Sequence, residues 1–138
     1  MIHIVICDNK YNELEKIKNK ERTILLRGST SRRIPHSRIF VNDELYFLEK
    51  GSNKASLHAV VTDANSYSKL TTMEIEEIFA KYEKELNLCE EEMDKWKKKC
   101  LCVIEFDNLE SVEGIDVPSY TNLEDWIMVN SIDELNNR

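Results

Sequence analysis

Hydrophobic and polar positions change period several times along the chain. Residues 2–6, Ile-His-Ile-Val-Ile, are a short apolar run that predicts a first strand. Over 9–20 the period lengthens. Tyr11, Leu14 and Ile17 recur at helical spacing, and Asp8 or Asn9 stands where an N-cap is needed. Residues 22–27, Arg-Thr-Ile-Leu-Leu-Arg, return to a strand pattern. A loop follows over 28–38, with Gly28 at the turn and Pro35 further on. Strands are predicted over 44–50 and 55–67, separated by the Gly-Ser-Asn turn at 51–53.

The second half opens with helix. Thr71 and Glu74 have the spacing of a capping box, and Ile75, Ile78, Phe79, Tyr82 and Leu86 make one apolar stripe over three turns. A second short helix starts near Cys89, with Met93 and Trp96 on its inner face. The segment 100–114 begins as a strand and reads as running out into an acidic loop. The tail, with Tyr120 and Trp126, reads as a docked loop with a helical turn. Short loops join the three central strands, so antiparallel pairing is the simpler arrangement, because parallel neighbours need long crossovers. Four or five strands with two or three amphipathic helices give an α+β class, a small curled sheet or barrel with helices packed on it.

At 138 residues the chain fits one domain, 1–138, and needs no disulfide or metal staple. No apolar run approaches the roughly 20 residues that span a bilayer. The N-terminus lacks the basic start and apolar length of a secretory leader, so the expected setting is cytoplasmic, with no membrane partner. Cys7, Cys89, Cys100 and Cys102 form no Cys-x-x-Cys pair, and Cys100 and Cys102 alternate along a predicted strand. They read as reduced thiols, mostly buried, with Cys89 the alternative as an exposed one. Nothing in the spacing calls for a metal or a cofactor.

Charge changes the picture more. The net charge is −7, which opposes sequence-blind affinity for nucleic acid. Yet residues 10–38 hold nine Lys and Arg against three Glu, +6 locally, leaving −13 for the rest. A cationic face on an anionic body is one outcome; interleaved, cancelling charges are the other.

The stretch from Ile17 to Phe47 resembles the ASCH domain, a branch of the PUA-like superfamily. That family shows an apolar residue, a Gly-x-Lys-Thr-x-Glu-x-Arg run, a basic segment, and a Val-Gly-Asp-x-Ile-x-Phe strand entry. Ile17 stands at the apolar position, and Thr23 and Arg27 match the run. Val41, Asp43, Leu45 and Phe47 match the strand entry, with Asn42 in the glycine's place. Lys20 replaces the first glycine, Arg22 stands where the family has lysine, and Leu25 where many members have glutamate or threonine.

The resemblance implies a PUA-like small β-barrel with flanking helices, and an RNA-binding or modified-base-binding module. In a small amidohydrolase branch it implies hydrolysis of acetylated cytidine by a lysine, a threonine and a glutamate. Arg22 cannot replace that lysine as a base, because its pKa exceeds about 12. Leu25 offers no oxygen. A hydrolytic set would have to be drawn from Arg22, Thr23, His36 and Glu74, which no spacing ties together.

The expected function is therefore nucleic-acid binding, RNA before DNA, in a cleft between the 22–38 segment and the barrel. Arg27, Arg32 and Arg33 are the expected phosphate contacts, because guanidinium groups pair with phosphate through planar forks. Ser29, Thr30 and Lys54 would assist, and Trp126 would stack on a base, with Tyr120 a second platform. Each has a plainer reading: Arg27 paired with Asp43, Arg32 and Arg33 solvated, Trp126 a core plug, His36 a surface residue. A protein partner on the acidic helices over 72–97 is the third function class.

Overall fold

The computed structural model describes residues 1–137. Six strands form one sheet: β1 (Ile2–Cys7), β2 (Ile24–Ser29), β3 (Glu44–Glu49), β4 (Lys54–Tyr67), β5 (Cys100–Asp116) and β6 (Trp126–Val129). Their order is β2-β5-β4-β3-β1-β6, a curled half-barrel with β2 and β6 as its edges. The helices are α1 (Glu13–Lys18), α2 (Thr72–Lys81), α3 (Glu83–Leu86) and α4 (Glu90–Trp96). A 3-10 helix, Ile132–Asn137, closes the described chain.

Strand alternation builds three apolar layers. Leu25 of β2, Val5 and Cys7 of β1, Cys102 and Ile104 of β5, and Phe47 of β3 point into the curl around Ile17 of α1 and Trp126. Their neighbours Ile24, Leu26, Leu101 and Val103 face outward, under Ile75, Phe79, Leu86 and Trp96 of the helices. On the opposite flank Ile4, Ile6, Leu48, Ile127 and Val129 pack with Val117 and Leu135.

β3 and β4 pair antiparallel, as their short turn requires. β2 does not pair with β3. It leaves for the sheet edge beside β5, and β1 pairs parallel with β3 instead, because the 36 residues between Cys7 and Glu44 are long enough for a crossover. The acidic stretch after Phe106 is no loop: β5 runs 17 residues, its outer half an exposed ribbon with β4 in which polar side chains face water. Nor is the tail a docked loop, since Trp126–Val129 pairs antiparallel with β1.

The capping box at Thr71 and Glu74 forms. The long apolar stripe breaks at Tyr82, where α2 ends before α3 begins. α1 is shorter than its periodicity, with Asn12 in the left-handed region at its N-cap and no side-chain cap. Asp8 accepts instead from the Lys10 amide, at 2.7 Å. Two positions where the ASCH pattern has glycine, Lys20 and Asn42, both have positive φ, 61° and 75°. The backbone keeps the glycine conformation although the residues have changed.

Candidate functional site

The edge strands β2 and β6 approach one another without pairing, and the gap holds most of the chain's buried charge. Arg27 lies on the inward face of β2, two residues beyond Leu25, and is 6% exposed. Glu13, on the Ile17 face of α1, meets it bidentately, with Nη1 to Oε2 at 3.1 Å and Nη2 to Oε1 at 2.9 Å. The same Glu13 Oε2 accepts from Arg22 Nη1 at 3.1 Å. Arg22 also donates to Glu92 of α4 at 3.0 Å and to the carbonyls of Leu86 and Asn87. Burial alone would raise the Glu13 pKa, but Arg27 and then Arg22 outweigh it and hold the carboxyl ionised, below the usual range. The Arg27 guanidinium carbon sits 5.0 Å from the Trp96 ring centroid and 5.7 Å from that of Trp126.

A cleft of about 220 Å³ opens above this network. Tyr11 and Lys50 stand on one side, Lys95 and Trp96 of α4 on another, and residues 122–125 cross its mouth. A smaller cavity of about 20 Å³, lined by Gly28, Ser29, Ser31 and His36, lies beyond. Arg27, Arg33, Trp96 and Asp125 line both, so they form the partition between them. Two cations hold the crossing segment: Arg33 Nη2 donates to Leu123 O at 2.8 Å and Lys50 Nζ to Asn122 O at 3.1 Å. Its ends are pinned by Ile6 N to Asp125 O and by Tyr120, whose hydroxyl donates to Ser52 O and accepts from Gly51 N.

Behind the cleft lies a second buried polar chain. Trp126 Nε1 donates to His3 Nδ1 at 2.9 Å, so Nε2 carries the His3 proton and donates to Asp43 at 2.8 Å. Burial pulls the His3 pKa down, the Asp43 carboxylate opposing it only in part. Burial would raise the Asp43 pKa, but the His3 and Phe40 hydrogen bonds outweigh it. The strand-entry aspartate thus ties β1, β6 and the turn before β3 together.

This geometry revises several expectations. Arg27 is not an open phosphate contact, and its partner is Glu13 rather than Asp43. Trp126 is a core residue, 3% exposed, with no free face for a base. Tyr120 is held by its hydroxyl against the β3–β4 turn. Lys54 pairs with Asp116 at the far end of the β4–β5 ribbon, at 3.1 Å, away from the cleft lining. Thr30 is exposed and lines neither cavity. Ser29 and Arg33 line the smaller one, Ser29 half-buried.

Arg32 and Arg38 are exposed and carry no ion pair among the described residues. The hydrolytic set is scattered. Arg22 is buried in its ion pairs, and Thr23 lines separate cavities beside Lys20. Glu74 caps α2. His36 is buried, bonded to Ser37 and to the Tyr67 carbonyl. Cys89 is exposed and the other three cysteines are buried. Burial raises the Cys102 pKa to about 11.

Glu13, Lys50, Lys95, Trp96 and Asp125 are site residues that the sequence did not single out. Glu13 carried one signal: it stands four residues before Ile17, on the buried face of its helix.

No family model matches the sequence, and no curated protein does. Among solved structures the chain is similar to the ASCH protein of Zymomonas mobilis, with 9% identity and a TM-score of 0.68, over 99% of this chain and 93% of that one. A serine-to-alanine variant of that protein matches at a TM-score of 0.69, over 99% and 93%, and a tyrosine-to-phenylalanine variant at 0.69, over 99% and 95%, both at 9% identity. The fold is therefore the ASCH fold, a PUA-like α+β half-barrel.

Proposed function

We propose that this PUA-like domain is an RNA-binding module that takes a single-stranded segment across the cleft between the β2–β3 loop and residues 122–125. The observation that carries the reading is the loop itself. From Arg22 to Asn42 the chain has no acidic residue; Arg32, Arg33 and Arg38 are exposed on it, and Arg33 lines both cavities. The cleft below is lined by five carboxylates and four cations, so phosphate attraction belongs to the loop, and the cleft suits a base or other planar polar group. Trp96 supplies an aromatic wall there, and Arg33, Lys50 and Lys95 line the same space.

A salt titration tests this. Fluorescence anisotropy of a labelled single-stranded RNA is followed with the native chain and with an Arg32→Ala/Arg33→Ala/Arg38→Ala variant. Three phosphate contacts on single strands account for a log–log salt slope of about 2, at roughly 0.7 each. The variant should lose that slope and most of its affinity. Equal slopes for both proteins would remove the loop from the interface, and no binding by the native chain at low salt would end the RNA reading.

A further inference from the structure

Two charged groups at the partition between the cavities, Arg27 at its Nε and Asp125 at its carboxylate, lack a hydrogen bond, whereas the charged groups around them are bonded. Glu13 and Glu92 are taken by Arg22 and Arg27, Asp8 by the Lys10 amide and Lys95, and Arg33 and Lys50 by the 122–123 carbonyls. Arg27 Nε is a buried donor with no hydrogen-bond partner. Asp125 has a side chain 32% exposed. Its carboxylate lies 4.0 Å from that Nε and 3.8 Å from Arg33, both too long for a hydrogen bond. No direct hydrogen bond to this carboxylate exists among the described residues. Its position is nonetheless fixed, since its own carbonyl accepts from Ile6 N in line with β1.

An unpaired donor beside a carboxylate that accepts two bonds is an incomplete pattern. The ligand edge that completes it presents one acceptor next to two donors. Among the common bases only guanine does so on one edge, with O6 beside N1–H and N2–H. Cytosine and adenine offer a single donor group beside acceptors, and uracil one donor between two acceptors. Building on the RNA reading above, we propose that Arg27 and Asp125 recognise the Watson–Crick edge of an unstacked guanine. Nε donates to O6, and the carboxylate accepts from N1–H and N2–H.

The base lies in the larger cavity against Trp96, and Arg33 turns from Leu123 O toward the adjoining phosphate. Arg27 Nε has no solvent contact in the closed cleft, so binding includes an outward shift of the 122–124 segment. The Arg33 and Lys50 side chains hold the Leu123 and Asn122 carbonyls across the mouth, and both can release them as the segment moves. A buried donor left unpaired is costly, which favours any ligand that satisfies it.

The test uses the native chain and a set of labelled oligouridine strands, each with one central guanosine, inosine, adenosine or cytidine, read by anisotropy. Inosine keeps O6 and N1–H but lacks the 2-amino group. Guanosine is expected to bind about fivefold or more tighter than inosine, the lower end of what one bidentate base contact discriminates. It should exceed adenosine and cytidine by more. Asp125→Asn, which keeps the backbone bond to Ile6 and the side-chain shape, should retain salt-dependent binding and lose the guanosine preference. Equal affinity for all four strands, or a preference that survives in Asp125→Asn, overturns the assignment while leaving the RNA reading standing. If none of the strands binds, both fail together.

Discussion

Replacing Glu13 by Gln keeps the shape of the side chain and removes the charge that two buried guanidinium groups share. Arg27 would keep one acceptor and lose its ionic partner, and Arg22 would fall back on Glu92 and two carbonyls. Breaking a buried ion pair from one side costs about 3–5 kcal/mol, because the remaining charge stays buried. For 138 residues the unfolding entropy near the midpoint is about 0.29 kcal/mol per kelvin, so the expected fall in Tm is about 10–17 °C. Glu15→Gln is the control. It is exposed on the same helix, bonded only to the Asn19 amide at 3.2 Å, and should shift Tm by about 2 °C at most. Both are read by far-UV circular dichroism melts at neutral pH. If the two variants melt together, the Glu13–Arg22–Arg27 cluster is not the electrostatic centre of the fold described above.

Acidification gives a second expectation. His3 is buried neutral with a lowered pKa, while an unfolded histidine gains a proton near pH 6.5. Below that pH the unfolded state binds more protons, so stability falls as pH drops toward the lowered His3 value. Asp43 and Glu13, both lowered, add further loss below the ordinary carboxylate range. Urea midpoints against pH should show the decline beginning near pH 6.5 in the native chain and later in His3→Gln; coincident profiles would exclude His3.

Gly28→Ala places a methyl group onto the Trp96 carbonyl and within 2.9 Å of Leu101 Cδ2. It should cost about 1–3 kcal/mol in urea denaturation and displace the end of α4, and an unchanged midpoint would contradict that packing. Lys20→Gly relieves a left-handed φ that costs a side chain about 1–2 kcal/mol, partly offset by unfolded-chain entropy. A Tm rise of about 1–3 °C is expected, and a fall would mean that Lys20 pays for its conformation with an interaction absent from the structure.

The fold was largely legible because strand alternation and turn residues are local signals. Ile24–Arg27, Glu44–Glu49 and the strand ending at Tyr67 announce themselves through neighbours two residues apart. The outer half of β5 did not. An exposed two-stranded ribbon needs no apolar face, so Asp107, Glu110 and Glu113 look like loop residues when read alone. Pairing order was hidden for another reason: β1 meets β3 across a crossover, and local sequence carries no record of that choice.

A cleft does lie beside the arginine-rich segment, where the sequence placed the candidate site, but its lining was poorly legible in detail. Arg27 and Arg32 look alike in sequence. Glu13, brought from helix α1, makes one a buried strut, and the other stays on the surface. Trp126 takes its plainer reading as a core residue, because a His3 nitrogen 123 positions away claims its indole, while Trp96 packs on the inner face of its helix as expected and also lines the cleft.

Those two tryptophans, the only ones in the chain, offer the most direct check on the cleft. Their indole N–H signals can be followed by ¹H–¹⁵N correlation spectroscopy during titration with a guanosine-containing single-stranded RNA. Trp96 lines the cleft, whereas Trp126 is sealed against His3. RNA binding in the cleft should move the Trp96 indole signal progressively to saturation and move that of Trp126 far less. Binding that leaves the Trp96 signal in place would put the RNA elsewhere on the surface and contradict the account.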